Sequence, residues 1–302
     1  MESSLETRGL PIYAGSTMLE RYIHIGADVL YVRHNRLLPG RPTILFLHGL
    51  GDSSLSYEYA FSSEPLAAAN LLATDLAGYG RSSASADYSF AAHARRLRGL
   101  LEALAPETSA AAAGAKSEAN GVCLVAHSMG AIPAILLCRD DRAGIVRKLM
   151  LVEGSITQYG AFISSSAHDA HQQNNFEQWY EREFLREYIL KQYLERFPHC
   201  GSYYASLRFC RKAAFLQNVL EMRKLHLEFD GKWKSRVGKL YAELSLPKVY
   251  CYGDGGMGRE TLQFLTEHGL ETKVLRSTCH FLMLDRRREF YQFVREFCCK
   301  VS

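Results

Sequence analysis

An α/β architecture, with a mostly parallel sheet, helices on both faces and an inserted helical segment, is predicted by three features of the sequence. Short apolar segments of strand character alternate with longer segments of helical periodicity. Several of the strand-like segments run into glycine-containing turns. One stretch, residues 156–243, interrupts the alternation with helical patterns alone. Alternation favours a parallel sheet because each strand must return through a crossover, and the crossover helices cover the faces. With 302 residues and a hydrophobic fraction of 47%, the chain can bury a substantial core.

Taken in order, residues 22–47 are β-rich, with the segments "RYIHI", "DVLYVRHN" and "PTILFLHG". "NLLATDLAGYG" reads as a strand ending in a glycine turn. "FAAHARRLRGLLEALA" has helical spacing, with Phe90, Leu97, Leu100, Leu101 and Leu104 on or near one face. The low-complexity run "APETSAAAAGAKSEANG", 105–121, is expected to be a mobile surface loop. "GVCLVAHSMGAIPAILL", 121–137, approaches the length of a membrane span but carries two polar residues at its middle. It divides instead into a β-branched strand and an apolar helix that starts near its proline, with His127 and Ser128 on the turn between them. "VRKLMLVEG" is a further strand. Beyond 156–243 come "LPKVYCYG" (strand), "GRETLQFLTEHG" (helix), "ETKVLRS" (strand) and "RREFYQFVREFC" (helix). The domain boundaries expected are therefore a core of 1–155 and 244–302 and a helical cap of 156–243. Such a cap stands over the carboxyl edge of the sheet, where open α/β sheets bind ligands.

Charge and cysteine usage narrow the function classes. A net charge of +4 is spread among both signs, which disfavours a nucleic-acid partner. The N-terminus has no basic region followed by an apolar one, so neither a secretory signal nor an integral membrane segment is expected, and a cytoplasmic location is. The eight scattered cysteines lack zinc-finger spacing and are read as reduced thiols. His168 and His171 have metal-ligand spacing without accompanying ligands, and no metal or organic cofactor is expected.

The turn "AHSMG", 126–130, has the small-x-Ser-x-small form of a nucleophile elbow, in which a sharp strand-to-helix turn lifts a serine above the sheet. On this pentapeptide alone, a helix-capping role for Ser128 fits equally well. Three other pieces favour chemistry. "LFLHGLG", 45–51, runs a strand into a glycine-flanked loop, so the backbone N–H groups of Leu50 and Met129 are the candidate oxyanion donors. His280, just after the last strand, is the best placed of the eleven histidines to act as base. The acid that orients it is Glu153, at the end of the strand that follows the nucleophile's helix, with Asp254 in "CYGDGGMG" as the alternative. His127, beside the serine, is expected to line the pocket or support the turn, and Trp179 to belong to the aromatic pocket roof.

In these motifs and their order the chain resembles the α/β-hydrolase fold family, over about 22–155 and 244–300. "DLAGYGRS", 75–82, is similar to a structural turn of that family. Two departures stand out. Ala126 replaces the first elbow glycine, and Gly255 and Gly256 occupy the region where the family's more usual acid lies, which moves the acid to Glu153. The resemblance implies an eight-stranded sheet with a cap and a serine hydrolase that cleaves an ester-type bond, whether carboxylic ester, thioester or a related acyl group, of a small, partly apolar substrate. A hydrolase-fold ligand receptor or sensor with slow turnover is the alternative, as is a cofactor-free carbon–carbon hydrolase or lyase. The serine argues against the aspartate-nucleophile chemistry of dehalogenases and epoxide hydrolases.

Overall fold

The computed structural model describes residues 18–109, 121–158, 162–228 and 235–300. Strands β1 (Leu19–Ile25) and β2 (Asp28–His34) pair as an antiparallel hairpin around Gly26, whose φ of 62° suits the tight turn. Exposure alternates along β1, as expected of an edge strand with one wet face. The next strands, β3 (Thr43–Leu47), β4 (Asn70–Thr74) and β5 (Val122–His127), are buried at every residue. Their near-continuous apolar sequences are those of strands covered on both sides. β6 (Val146–Val152), β7 (Lys248–Gly253) and β8 (Thr272–Leu275) complete one eight-stranded sheet of order β1-β2-β4-β3-β5-β6-β7-β8. Pairing is parallel from β4 through β8. The predicted fold class, strand count included, is the observed one.

Register decides what meets at the carboxyl edge. Leu47 pairs with Ala126, His127 with Val152, and Val152 with Cys251. The residues just beyond β3, β5 and β6 therefore leave the sheet beside the last residue of β7, which brings His48, Ser128, Glu153 and Gly253 to one rim.

Helix α1 (Phe90–Thr108) begins at Ser89, whose side chain accepts from the N–H of Ala92. It continues through Pro106 to Thr108, so the first residues of the expected loop at 105–121 are helical; residues 110–120 lie outside those described. Helix α2 (Ala131–Asp140) packs on α1.

Between β6 and β7 the described residues form helices alone. α3 (Phe162–Gln172) is followed by one long helical run. This run starts as α4 (Phe176–Gln178), widens into a π-helix over Trp179–Tyr193 and closes as α5 (Leu194–Arg196). Aromatic residues four apart predict an ordinary α-helix here, and such pairs do meet, Tyr180 with Phe184 at 5.8 Å and Phe184 with Tyr188 at 6.4 Å, but contacts at five are added to them. Trp179 stacks on Phe184 with ring centroids 5.1 Å apart and planes 3° from parallel, and Tyr188 meets Tyr193 at 6.3 Å. The wider turn, with its i→i+5 bonds, puts those pairs one above the other. Helices α6 (Gly201–Phe209), α7 (Lys212–Leu227) and α8 (Arg236–Glu243) finish the insertion, and α8 returns to pack on α2. After β7 come α9 (Arg259–Glu267), the short α10 (Leu282–Asp285) and α11 (Arg287–Cys298). Among the described residues no helix is long and apolar enough to cross a membrane.

One expectation is corrected. Cys123 of β5 and Cys298 of α11, 175 residues apart, form a disulfide, so the eight cysteines are not all reduced. No spacing rule reaches across such a separation; only the packing of the last helix against the central strand brings the two sulfurs together. The bridge pins α11 to the sheet and closes a loop of more than half the chain. Reduction with a membrane-permeable phosphine, or Cys298→Ser, should lower Tm by about 3–6 °C, the size expected for 2–4 kcal/mol in a domain of this length. Scanning calorimetry with and without reductant measures it.

Candidate active site

Ser128 sits where β5 turns into α2, and its backbone is left-handed, with φ at 52°. A side-chain-bearing residue is costly there, so the surroundings must enforce it. They do so by close approach. A Cβ on Gly130 would lie 2.5 Å from the carbonyl oxygen of His48, and one on Gly49 would lie 3.0 Å from Cβ of Ser128. Only glycine fits at position 130, and a side chain at position 49 would crowd the serine. Ala126, two residues before the serine, is fully buried within β5. The loop after β3 is pinned by His48, whose Nδ1 bonds to the carbonyl of Gly49 (2.8 Å) while Nε2 accepts from the N–H of Leu76 (3.0 Å). Those two bonds fix the tautomer with the proton on Nδ1.

Glu153 leaves β6 with φ at 48°, a second strained residue at the same rim. Its Oε1 accepts from the N–H of Gly253 at 2.7 Å, and its Oε2 lies 3.7 Å from Nδ1 of His280. The carboxylate is 5% exposed and the imidazole 43% exposed. The pair is thus a buried anion facing a ring that reaches the cavity. The separation is longer than a hydrogen bond. Asp254, the alternative acid, is exposed and its Oδ1 accepts from the N–H of Ser277 at 2.7 Å. It organises the turn into which β7 and β8 run.

His127 is wholly buried, and burial holds its imidazole well below the usual histidine range, with the neighbouring His280 adding to the effect. It is therefore neutral, and its Nε2–H donates to the carbonyl oxygen of His280 at 2.9 Å. Its ring packs 4.6 Å from that of His280 and 4.9 Å from that of Phe281. Of the two histidines near the serine, His127 holds the backbone of the other in place.

Ser128, Met129, Leu50, His127 and His280 line one cavity of about 260 Å³, walled chiefly by Phe162, Ile163, Tyr188, Tyr193, Met222 and Phe281. Trp179, expected in the pocket roof, is instead buried in the insertion's own core, against Phe176 and Phe184. A long aromatic side chain on a helix has two faces to choose from, and the π-helical register turns this one inward.

One wall residue was not singled out in the sequence. Asp52, 1% exposed, follows the candidate oxyanion loop and lines the cavity. Its Oδ1 accepts from Ser56 Oγ at 2.8 Å, while among the described residues Oδ2 has no hydrogen-bond partner. The nearby Ser206 hydroxyl donates to the carbonyl of Ser202 (2.9 Å) and is engaged with Ser53 Oγ (2.7 Å). Burial pushes the Asp52 carboxyl up to about 7. The aspartate in "HGLGDSS" resembles a turn former in sequence, and only its burial reveals otherwise.

An eight-stranded sheet of this order, with a left-handed serine at the turn after β5 and an insertion between β6 and β7, defines the class of α/β hydrolases. The sequence model of the Alpha/beta hydrolase family matches residues 44–292, and the chain belongs to that family. Among solved structures, E-2-(acetamidomethylene)succinate hydrolase superposes with a TM-score of 0.68 at 17% identity, over 93% of this chain and 99% of that one. An esterase from Exiguobacterium antarcticum gives 0.68 at 16% identity, over 93% and 100%. The enol-lactonase from Burkholderia xenovorans LB400 gives 0.68 at 14% identity, again over 93% and 100%. In sequence, an uncharacterized protein of Mycobacterium tuberculosis is 30% identical over 129 residues, 42% of this chain and 34% of that protein. The chain thus spans about a third of the length of the curated relatives it matches.

The Asp52 carboxyl yields a pH test. An unfolded aspartate titrates near 4, and this one near 7 when folded. Across that interval the folded state alone keeps the proton, so stability falls as pH rises from about 4 to about 7 and stays lowered above it. Asp52→Asn keeps the acceptor for Ser56 and removes the titration. It should raise Tm by roughly 5 °C at pH 8 and by little at pH 4, read by thermal denaturation across pH.

Proposed function

We propose that this protein is a serine hydrolase that cleaves an ester-type bond of a small, partly apolar molecule through an acyl-enzyme. The observation that carries the reading is Ser128, held at a positive φ and facing the same cavity as His280, with buried Glu153 behind that imidazole. His280 takes the proton from the Ser128 hydroxyl as the oxygen attacks the carbonyl carbon. Glu153 aligns the ring through Nδ1 and stabilises its cation. The N–H groups of Met129 and Leu50 receive the oxyanion. His280 then gives its proton to the leaving alcohol or thiol, and water repeats the sequence on the acyl group. His127 acts on the reaction indirectly, by fixing the backbone of His280.

Substrate size and character follow from the cavity. About 260 Å³ holds a compact molecule, and the aromatic and aliphatic wall favours an apolar acyl or alcohol group. The named activities of the similar structures, an esterase and an enol-lactonase among them, support attack on an acyl–oxygen bond. Six cysteines remain free thiols, which supports a cytoplasmic setting with the single buried bridge shielded from reductants.

Two sets of variants test the assignment. With a small chromogenic ester, Ser128→Ala should reduce kcat at least about 10⁴-fold in a folded protein. Glu153→Gln should lose far more activity than Asp254→Asn, and the reverse ranking would transfer the acid's role to Asp254. In the second set, His127→Ala should lower kcat by roughly 10- to 100-fold through misplacement of the base. His127→Gln, which retains a donor for the His280 carbonyl, should recover much of that loss.

A further inference from the structure

Away from the cavity, the insertion and the core meet in a cluster of three potential metal ligands. His199 and Cys200 end the short 3₁₀ turn Pro198–Cys200 that joins α5 to α6, and Asp285 ends α10, five residues after His280. One ligand atom from each, an imidazole nitrogen, a sulfur and a carboxylate oxygen, lies within 4.8 Å of both others. Nε2 of His199 is 2.5 Å from Oδ1 of Asp285. The thiol of Cys200 is buried and the Asp285 carboxylate is 8% exposed, while the His199 ring is 36% exposed. The cluster is a buried floor of sulfur and oxygen with a partly exposed nitrogen ligand at its mouth.

We infer that His199, Cys200 and Asp285 form a binding site for one zinc-class divalent ion. The donor set selects the metal. Thiolate and imidazole with a single carboxylate suit a borderline-soft cation in a tetrahedral site, whereas calcium and magnesium require several more oxygens. Bonds of about 2.0–2.3 Å require ligand atoms well over 3 Å apart. The exposed His199 ring swings back from Asp285 by about an ångström to admit the ion, and water takes the fourth position. The Cys200 thiol loses its proton to solvent as the metal–sulfur bond forms.

Occupancy has a mechanical consequence. The second oxygen of Asp285, Oδ2, accepts from the N–H of Cys279 at 2.7 Å, and Cys279 precedes His280. An ion here ties the turn of the insertion to the loop that carries the candidate base. The binding itself is independent of the reaction proposed above, and its test does not use turnover.

The experiment is titration of the full chain with Co²⁺, followed by displacement with Zn²⁺. One equivalent of cobalt should develop tetrahedral d–d bands and a sulfur-to-cobalt charge-transfer band, and one equivalent of zinc should bleach them. Cys200→Ser should abolish the charge-transfer band. His199→Ala, a surface change that leaves folding intact, should weaken binding at least tenfold. Zinc should raise the Tm of the unaltered chain and leave that of His199→Ala unchanged at the same concentration. Absence of the charge-transfer band in the unaltered chain would overturn the site. So would its persistence in Cys200→Ser, because another cysteine would then be the ligand.

Discussion

The contact between the carbonyl of His48 and Cα of Gly130 is the constraint on which the site rests. Parallel pairing of β3 with β5 brings the loop after one strand against the turn after the other, and no side chain fits in the gap. Because the backbones are that close, the turn at Ser128 is sharp and the serine occupies a conformation that it would otherwise avoid. The same closeness puts Gly49 against the serine side chain and sets Leu50 and Met129 on one cavity wall. His48 fastens the arrangement from behind by bonding to both Gly49 and Leu76.

A second level of order comes from the neighbouring strands. Glu153 is shared between a backbone N–H of β7 and the imidazole that follows β8, so the sheet itself fixes the carboxylate. The histidine is held from two sides, by Glu153 at its ring and by His127 at its carbonyl. Burial keeps His127 neutral, which leaves it a one-proton donor with a defined direction.

Much of this was legible in the amino-acid order, for identifiable reasons. Strand and helix periodicity with glycine stops locates every strand, and the "AHSMG" turn and the position of His280 after the last strand follow from chain geometry alone. That Glu153 has a partner at the rim was readable because a carboxylate ending an apolar strand requires one, while its choice over Asp254 as the acid stays a proposal. Other features depend on contacts between distant segments and leave no local mark. The Cys123–Cys298 bridge, the burial of Asp52 and the inward turn of Trp179 belong to this group. The helical insertion was visible as a pattern, but its bond register was not, since residues four and five apart both recur along "FEQWYEREFLREYILKQYLERF".

That register couples the shape of the cavity to the winding of a single helix. Tyr188, Ile189 and Tyr193 all face the cavity from the π-helical stretch. Rewinding one wide turn to the tighter α form would rotate every later side chain about the axis and carry Tyr193 off the wall. Deleting one residue upstream has the same effect. Relatives that differ by one amino acid in this helix would therefore present a differently shaped cavity above an unchanged arrangement of Ser128, Glu153 and His280.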